Sequence, residues 1–212
     1  MNAKDRNMVR ELALRYAELA NSPAENRKRT NWKDKNSFML TDPLIYIRAY
    51  AWDEMPQSIL EASDEIGREL EAFFKAELFR ATFEDDYIFE PWYSVRGIYE
   101  PGGSGWGVEP AVHYAEDGGE GVKGAYKCDY PIKNLEDIAK MRAPRHLVDE
   151  AATAEKLARV RELIGDIITV DLVRGPSCRN GTADISYDRG KLRGMENFMF
   201  DRGSHLLLRQ RQ

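Results

Sequence analysis

The chain has 212 residues, enough to bury a substantial core within one domain. With 31 basic against 36 acidic residues its formal net charge is −5, which argues against a general phosphate-backbone binder and makes nucleic acid a poor partner. No apolar stretch approaches the roughly 20 residues a bilayer span requires, and Cys128 and Cys178 lie far apart without CxxC spacing. A reduced, cytoplasmic protein without a membrane partner is the expectation.

Met8, Val9, Leu12, Tyr16 and Leu19 recur at helical spacing, so residues from about 4 to 20 form an amphipathic helix that ends at Asn21-Ser22-Pro23. Ser22 caps a second helix with Pro23 at its first position, and its charged stretch, Glu25-Asn26-Arg27-Lys28-Arg29, reads as a solvated face. Together these make a helical extension over 1–40.

Three short apolar runs follow, Leu44–Tyr50, Tyr87–Glu90 and Ile167–Val173, each too short for a helix. They read as strands covered on both faces, separated by amphipathic helices, as in parallel β/α units. Between the first two, Ser63 or Asp64 starts a helix whose Ile66, Leu70, Phe73, Phe74 and Leu78 make an apolar stripe. Over 102–130 the chain changes character. Val108, Val112 and Tyr114 face an alternating segment, Val122, Gly124, Tyr126 and Cys128, across Asp117-Gly118-Gly119, which predicts an inserted β-hairpin. Gly102, Gly103, Gly105 and Gly107 precede strand-like rather than helical sequence, so a phosphate cradle is the weaker alternative. Asn134-Leu135-Glu136-Asp137 has the pattern of a capped short helix, a longer helix runs from about Glu150 to Ile164, and Leu192–Phe200 reads as the start of another.

The order of these elements resembles the uroporphyrinogen decarboxylase superfamily, including its corrinoid methyltransferase-like branches. Pro43-Leu44-Ile45-Tyr46-Ile47-Arg48-Ala49-Tyr50 is similar to that family's first barrel strand, Ile132–Met141 to the helix after its hairpin, Thr153–Val173 to its next helix and strand, and Leu192–Asn197 to the helix leading into the second half. The resemblance implies an α/β fold: an incomplete (β/α)8 TIM-barrel-type domain over 1–212, short of a barrel's usual length of about 250 residues or more. It implies a lyase or methyltransferase acting on a small anionic or methylated substrate. Arg48 and Arg174 would pair carboxylates, Trp52 and Trp92 would form apolar walls, and Glu90 would be the acid or base. The family's paired arginines are reduced to one here, Arg48-Ala49-Tyr50-Ala51-Trp52, which weakens the case for a polycarboxylate.

No cofactor is expected within the chain. The family's zinc ligands belong to a part of the barrel this sequence does not contain, and His113, His146 and His205 have no zinc-ligand spacing with Cys128 or Cys178. Zinc and a corrinoid would enter only if the other half were supplied. Two further readings stand beside this one: a non-catalytic fragment that self-associates through an exposed sheet edge, and a small α+β binding module built on the glycine-rich hairpin. The sequence Leu206-Leu207-Leu208, where a polar helix face is due, favours the fragment.

Overall fold

The computed structural model describes residues 1–48, 51–99, 106–114, 126–143, 145, 147–175 and 185–200. The chain, read above as one domain, divides into two compact units, Met1–Arg96 with Ala151–Val173, and Gly97–Glu150 with Arg174–Gln212. Both mix helix and strand.

The first unit holds four long helices and two strands. Asn2 caps α1 (Ala3–Ala20) by accepting from Asp5 N–H, and Ser22 caps α2 (Pro23–Asn36) by accepting from Glu25 N–H. Asp64 does the same for Gly67 in α3 (Glu65–Arg80). Val9, Ala13, Tyr16 and Ala20 of α1 meet Ile66, Leu70 and Phe74 of α3 in one core, joined by Val160, Leu163 and Ile164 of α4 (Glu150–Ile164). Strands β1 (Trp92–Arg96) and β4 (Thr169–Val173) are parallel neighbours, with Tyr93 opposite Val170 and Val95 opposite Leu172.

Those four residues point into the core, while Trp92, Ser94, Arg96, Thr169, Asp171 and Val173 are exposed on the other face. The strands are therefore covered on one face, not on both as expected. That alternation is the pattern of a sheet with one buried side.

Two strand assignments need correction. Residues 44–48 form no strand. Ile45 N–H donates to Asp86 Oδ2 at 2.7 Å and Ile47 N–H to Asp85 Oδ2 at 2.6 Å, Ile45 O accepts from Asp86 N–H, and Arg80 donates to Ile47 O. Side chains have taken the place of a ladder, and Ile45, Tyr46 and Ile47 remain exposed. Ala49 and Tyr50 lie outside the described residues. The second strand begins at Trp92, so the run Tyr87–Glu90 is its lead-in rather than the strand itself.

The charged stretch of α2 is not simply a solvated face. Glu25 is buried and accepts from Phe89 N–H at 2.9 Å while pairing with Lys28 at 2.8 Å. Arg29 donates to Phe89 O, Lys28 to Tyr87 O and Trp32 to Asp86 O. An irregular segment buried at Phe89 has no ladder for its peptide groups, and α2 supplies the partners.

In the second unit, β2 (Ala111–Tyr114) and β3 (Tyr126–Asp129) form the predicted antiparallel hairpin, with His113 opposite Lys127. Nearly all of the residues in these two strands are exposed. The tip carrying Asp117-Gly118-Gly119, together with Gly102, Gly103 and Gly105, lies outside the described residues. Asn134 and Asp137 form a capping box on a 3-10 helix, Leu135–Lys140. Helix α5 (Ile185–Arg193) starts before the predicted Leu192, and Gly194 separates it from a helical stretch over 195–200. Gly194 has φ of +80°, and a Cβ there would sit 2.6 Å from the Tyr130 ring.

Two outcomes follow from the packing. Glu25→Leu leaves the Phe89 amide and Lys28 without their carboxylate and should destabilise by about 3 kcal/mol in urea unfolding. Arg27→Ala, exposed on the same helix, should stay within about 0.5 kcal/mol. Phe38, Met39, Leu40, Ile45, Tyr46 and Ile47 expose apolar surface within ten residues, with Phe38 96% and Leu40 102% exposed. Concentration-dependent self-association is expected in sedimentation equilibrium, reduced by combining Leu40→Asp with Ile45→Lys. A clean monomer at every concentration would refute it.

Candidate ligand pocket

Glu69, Phe73 and Glu77 sit at i, i+4 and i+8 on α3 and therefore share one face of the helix. Opposite them runs the segment Tyr87, Ile88, Glu90, Trp92, Tyr93 and Ser94, which the side chains of α2 hold in place up to Phe89. With Tyr16 from α1 these residues line an open pocket of about 420 Å³, within the usual range for small-molecule sites. The rings are ordered by one another: Tyr16 and Phe73 meet edge-on at 5.5 Å, and Phe73 and Tyr93 at 5.0 Å.

Three carboxylates face this space, and their surroundings differ. Glu69 is occupied at both oxygens, accepting from the Tyr93 hydroxyl at 3.0 Å and pairing with Lys156 at 2.6 Å. Glu90 keeps a looser partner, Arg29 at 3.5 Å, while its backbone carbonyl accepts from Tyr16 at 3.0 Å. Glu77 lies deepest. Burial lifts its carboxyl above the ordinary value, against the opposing effects of a hydrogen bond with Tyr87 and the charge of Arg80. The tyrosines shift the same way. Burial, then the charge of Glu77, pushes Tyr87 up to about 12, and burial raises Tyr16 and Tyr93 as well. They stay protonated at neutral pH and serve as donors and ring faces, not as bases.

Of the residues singled out in the sequence, the pocket brings together Glu90 and Trp92. Glu90 precedes β1 instead of ending the strand, because pairing starts only at Trp92. Arg48 is exposed in the irregular run before α3. Trp52 opens a short 3-10 turn and packs against Phe79 at 5.2 Å, so its ring serves local packing. Arg174, in the second unit, is held by Glu150 through contacts of 3.1, 3.3 and 2.8 Å. Cys178, His146 and His205 lie outside the described residues. Glu69 and Glu77 escaped the sequence reading, although their spacing around Phe73, next to the apolar stripe, was a usable signal.

Among the described residues no group of three or more His, Cys, Asp or Glu side chains could hold a metal ion, and no helix is long and apolar enough to cross a membrane. Searches of protein-family profiles, curated proteins and solved structures found no match.

The carboxyl groups set opposite pH trends. Glu77 binds its proton more tightly in the folded than in the unfolded chain, so its contribution to stability is present below 4.5 and is lost as pH rises through the raised native midpoint. Asp166, held down to about 2 mainly by its hydrogen bond with Arg10, contributes above 3.8 and loses that as pH falls toward 2. Carbon-13 NMR titration should place the Glu77 midpoint above 4.5 and that of Asp166 below 3.8, and Tyr87→Phe should raise the Glu77 midpoint further. A Glu77 midpoint at or below 4.5 would contradict the burial argument.

Proposed function

We propose that this chain is a uroporphyrinogen decarboxylase-like β/α-barrel protein, related either to tetrapyrrole decarboxylation or to corrinoid-linked methyl transfer from a methylated small molecule. One observation carries the reading: β1 and β4 pair in parallel, with helix α4 running directly into β4 and helices packed on one face of the pair, the arrangement from which a β/α barrel is built.

The reading relocates the chemistry. Barrel active sites lie at the C-terminal ends of the strands. That end of the pair carries Arg96, in register with Val173, whereas Glu90 lies before the opposite end. Arg96 becomes the candidate anion contact, and Asp171, facing Ser94 across the register, the candidate carboxylate for proton transfer. Trp92 keeps its role as an apolar wall on the same face.

Tryptophan quenching tests this with two probes, uroporphyrin with eight carboxylates and cobalamin with amide side chains. Saturable quenching by uroporphyrin, weakened about 10-fold or more in Arg96→Ala, supports the decarboxylase branch. Saturable quenching by cobalamin supports methyl transfer. If neither probe saturates, the proposal fails.

A further inference from the structure

The pocket between α3 and the lead-in to β1 has a chemistry of its own, independent of the barrel reading. Its lining residues include no lysine, arginine or histidine, yet three are glutamates and five are aromatic: Tyr16, Phe73, Tyr87, Trp92 and Tyr93. Lys156 neutralises Glu69 at 2.6 Å. The cations near the other two glutamates are committed elsewhere. Arg29 reaches Glu90 only at 3.5 Å while donating to Ala20 O and Phe89 O. Arg80, next to Glu77, is stacked 3.6 Å from the Tyr87 ring centroid and 4.5 Å from that of Tyr46, donates to Ile47 O and lies 3.7 Å from Asp85.

The pocket thus keeps incompletely compensated negative charge between π faces. Aromatic faces attract cations through their quadrupoles, most strongly where water is partly excluded, and a carboxylate at the same spot adds a charge that a neutral ligand cannot use. An anion would meet Glu77 and Glu90 with no donor of positive charge in the wall. We propose that this pocket is a binding site for a small organic cation, a methylated or quaternary ammonium group seated between Phe73 and Trp92 with Glu77 and Glu90 as its counter-charges.

Choline and its uncharged isostere 3,3-dimethylbutan-1-ol separate charge from shape, with Trp92 in the wall as the fluorescent reporter. Choline should bind saturably and at least 10-fold more tightly than the isostere. Glu77→Gln, which preserves shape and a hydrogen-bonding partner for Tyr87, should weaken choline about 10-fold and leave the isostere unchanged. Glu90→Gln, at the more exposed rim, should give a smaller loss in the same direction, and thermal melting confirms that each variant is folded. Equal affinity for choline and the isostere, unchanged choline binding in both folded variants, or no saturable choline binding by the unaltered chain would each overturn the proposal. These outcomes are separable from those of the uroporphyrin and cobalamin probes: Trp92 and Ser94 border both regions, but Glu77→Gln and Glu90→Gln bear on choline, whereas Arg96→Ala bears on uroporphyrin.

Discussion

The first unit depends on how the peptide groups of residues 85–90 are satisfied. This segment enters the core at Phe89 without belonging to a sheet, so its backbone must find partners outside any ladder. Glu25, Lys28, Arg29 and Trp32 of α2 supply them from one side. The run 44–48 ties to Asp85 and Asp86 from the other. The charged residues of α2 act as fixed donors and acceptors, and the burial of Glu25 is tolerable because Phe89 N–H and Lys28 meet its carboxylate. From this anchored lead-in the chain passes directly into β1.

That anchoring decides where chemistry can occur. It sets Tyr87, Ile88 and Glu90 against the Glu69–Phe73–Glu77 face of α3 and so creates the pocket. It also delays strand pairing to Trp92, which places Glu90 before the strand and Arg96 at its end. The same few hydrogen bonds therefore separate two regions of opposite character. One is an acidic, aromatic pocket at the start of β1, and the other is an open sheet face whose terminal residue is an arginine.

The open face and the exposed apolar run over 38–47 pose one physical question: what covers them. Tyr93, Val95 and Val170 are buried against helices, while their alternating neighbours are polar except for Trp92 and Val173. A face of that composition is one that water can meet. The run 38–47, in contrast, is dominated by large apolar side chains and suits protein contact. The open sheet face and the run 38–47 are thus distinct surfaces of different composition.

Much of the first unit is legible in the sequence because helices announce themselves locally. The caps at Ser22 and Asp64, the stripe Ile66–Leu70–Phe74 and the Asn134–Asp137 capping box are encoded within a few residues of where they act. The third apolar run also becomes a strand, at Thr169–Val173, and the hairpin pairs as its alternation suggests. The first apolar run does not become a strand, since Asp85 and Asp86, some forty residues away, capture its amides. No local pattern reports a distant competitor for a backbone hydrogen bond. The roles of Glu25, Arg29, Glu69 and Glu77 were hidden for the same reason. In sequence they are ordinary charges on helices, and only tertiary packing decides which charges face water, which hold a backbone, and which line a pocket. The sequence alone determined the helices, their caps and the core stripe through short-range spacing; the lead-in, the one-sided sheet and the acidic pocket were decided by long-range contacts that leave no periodic trace.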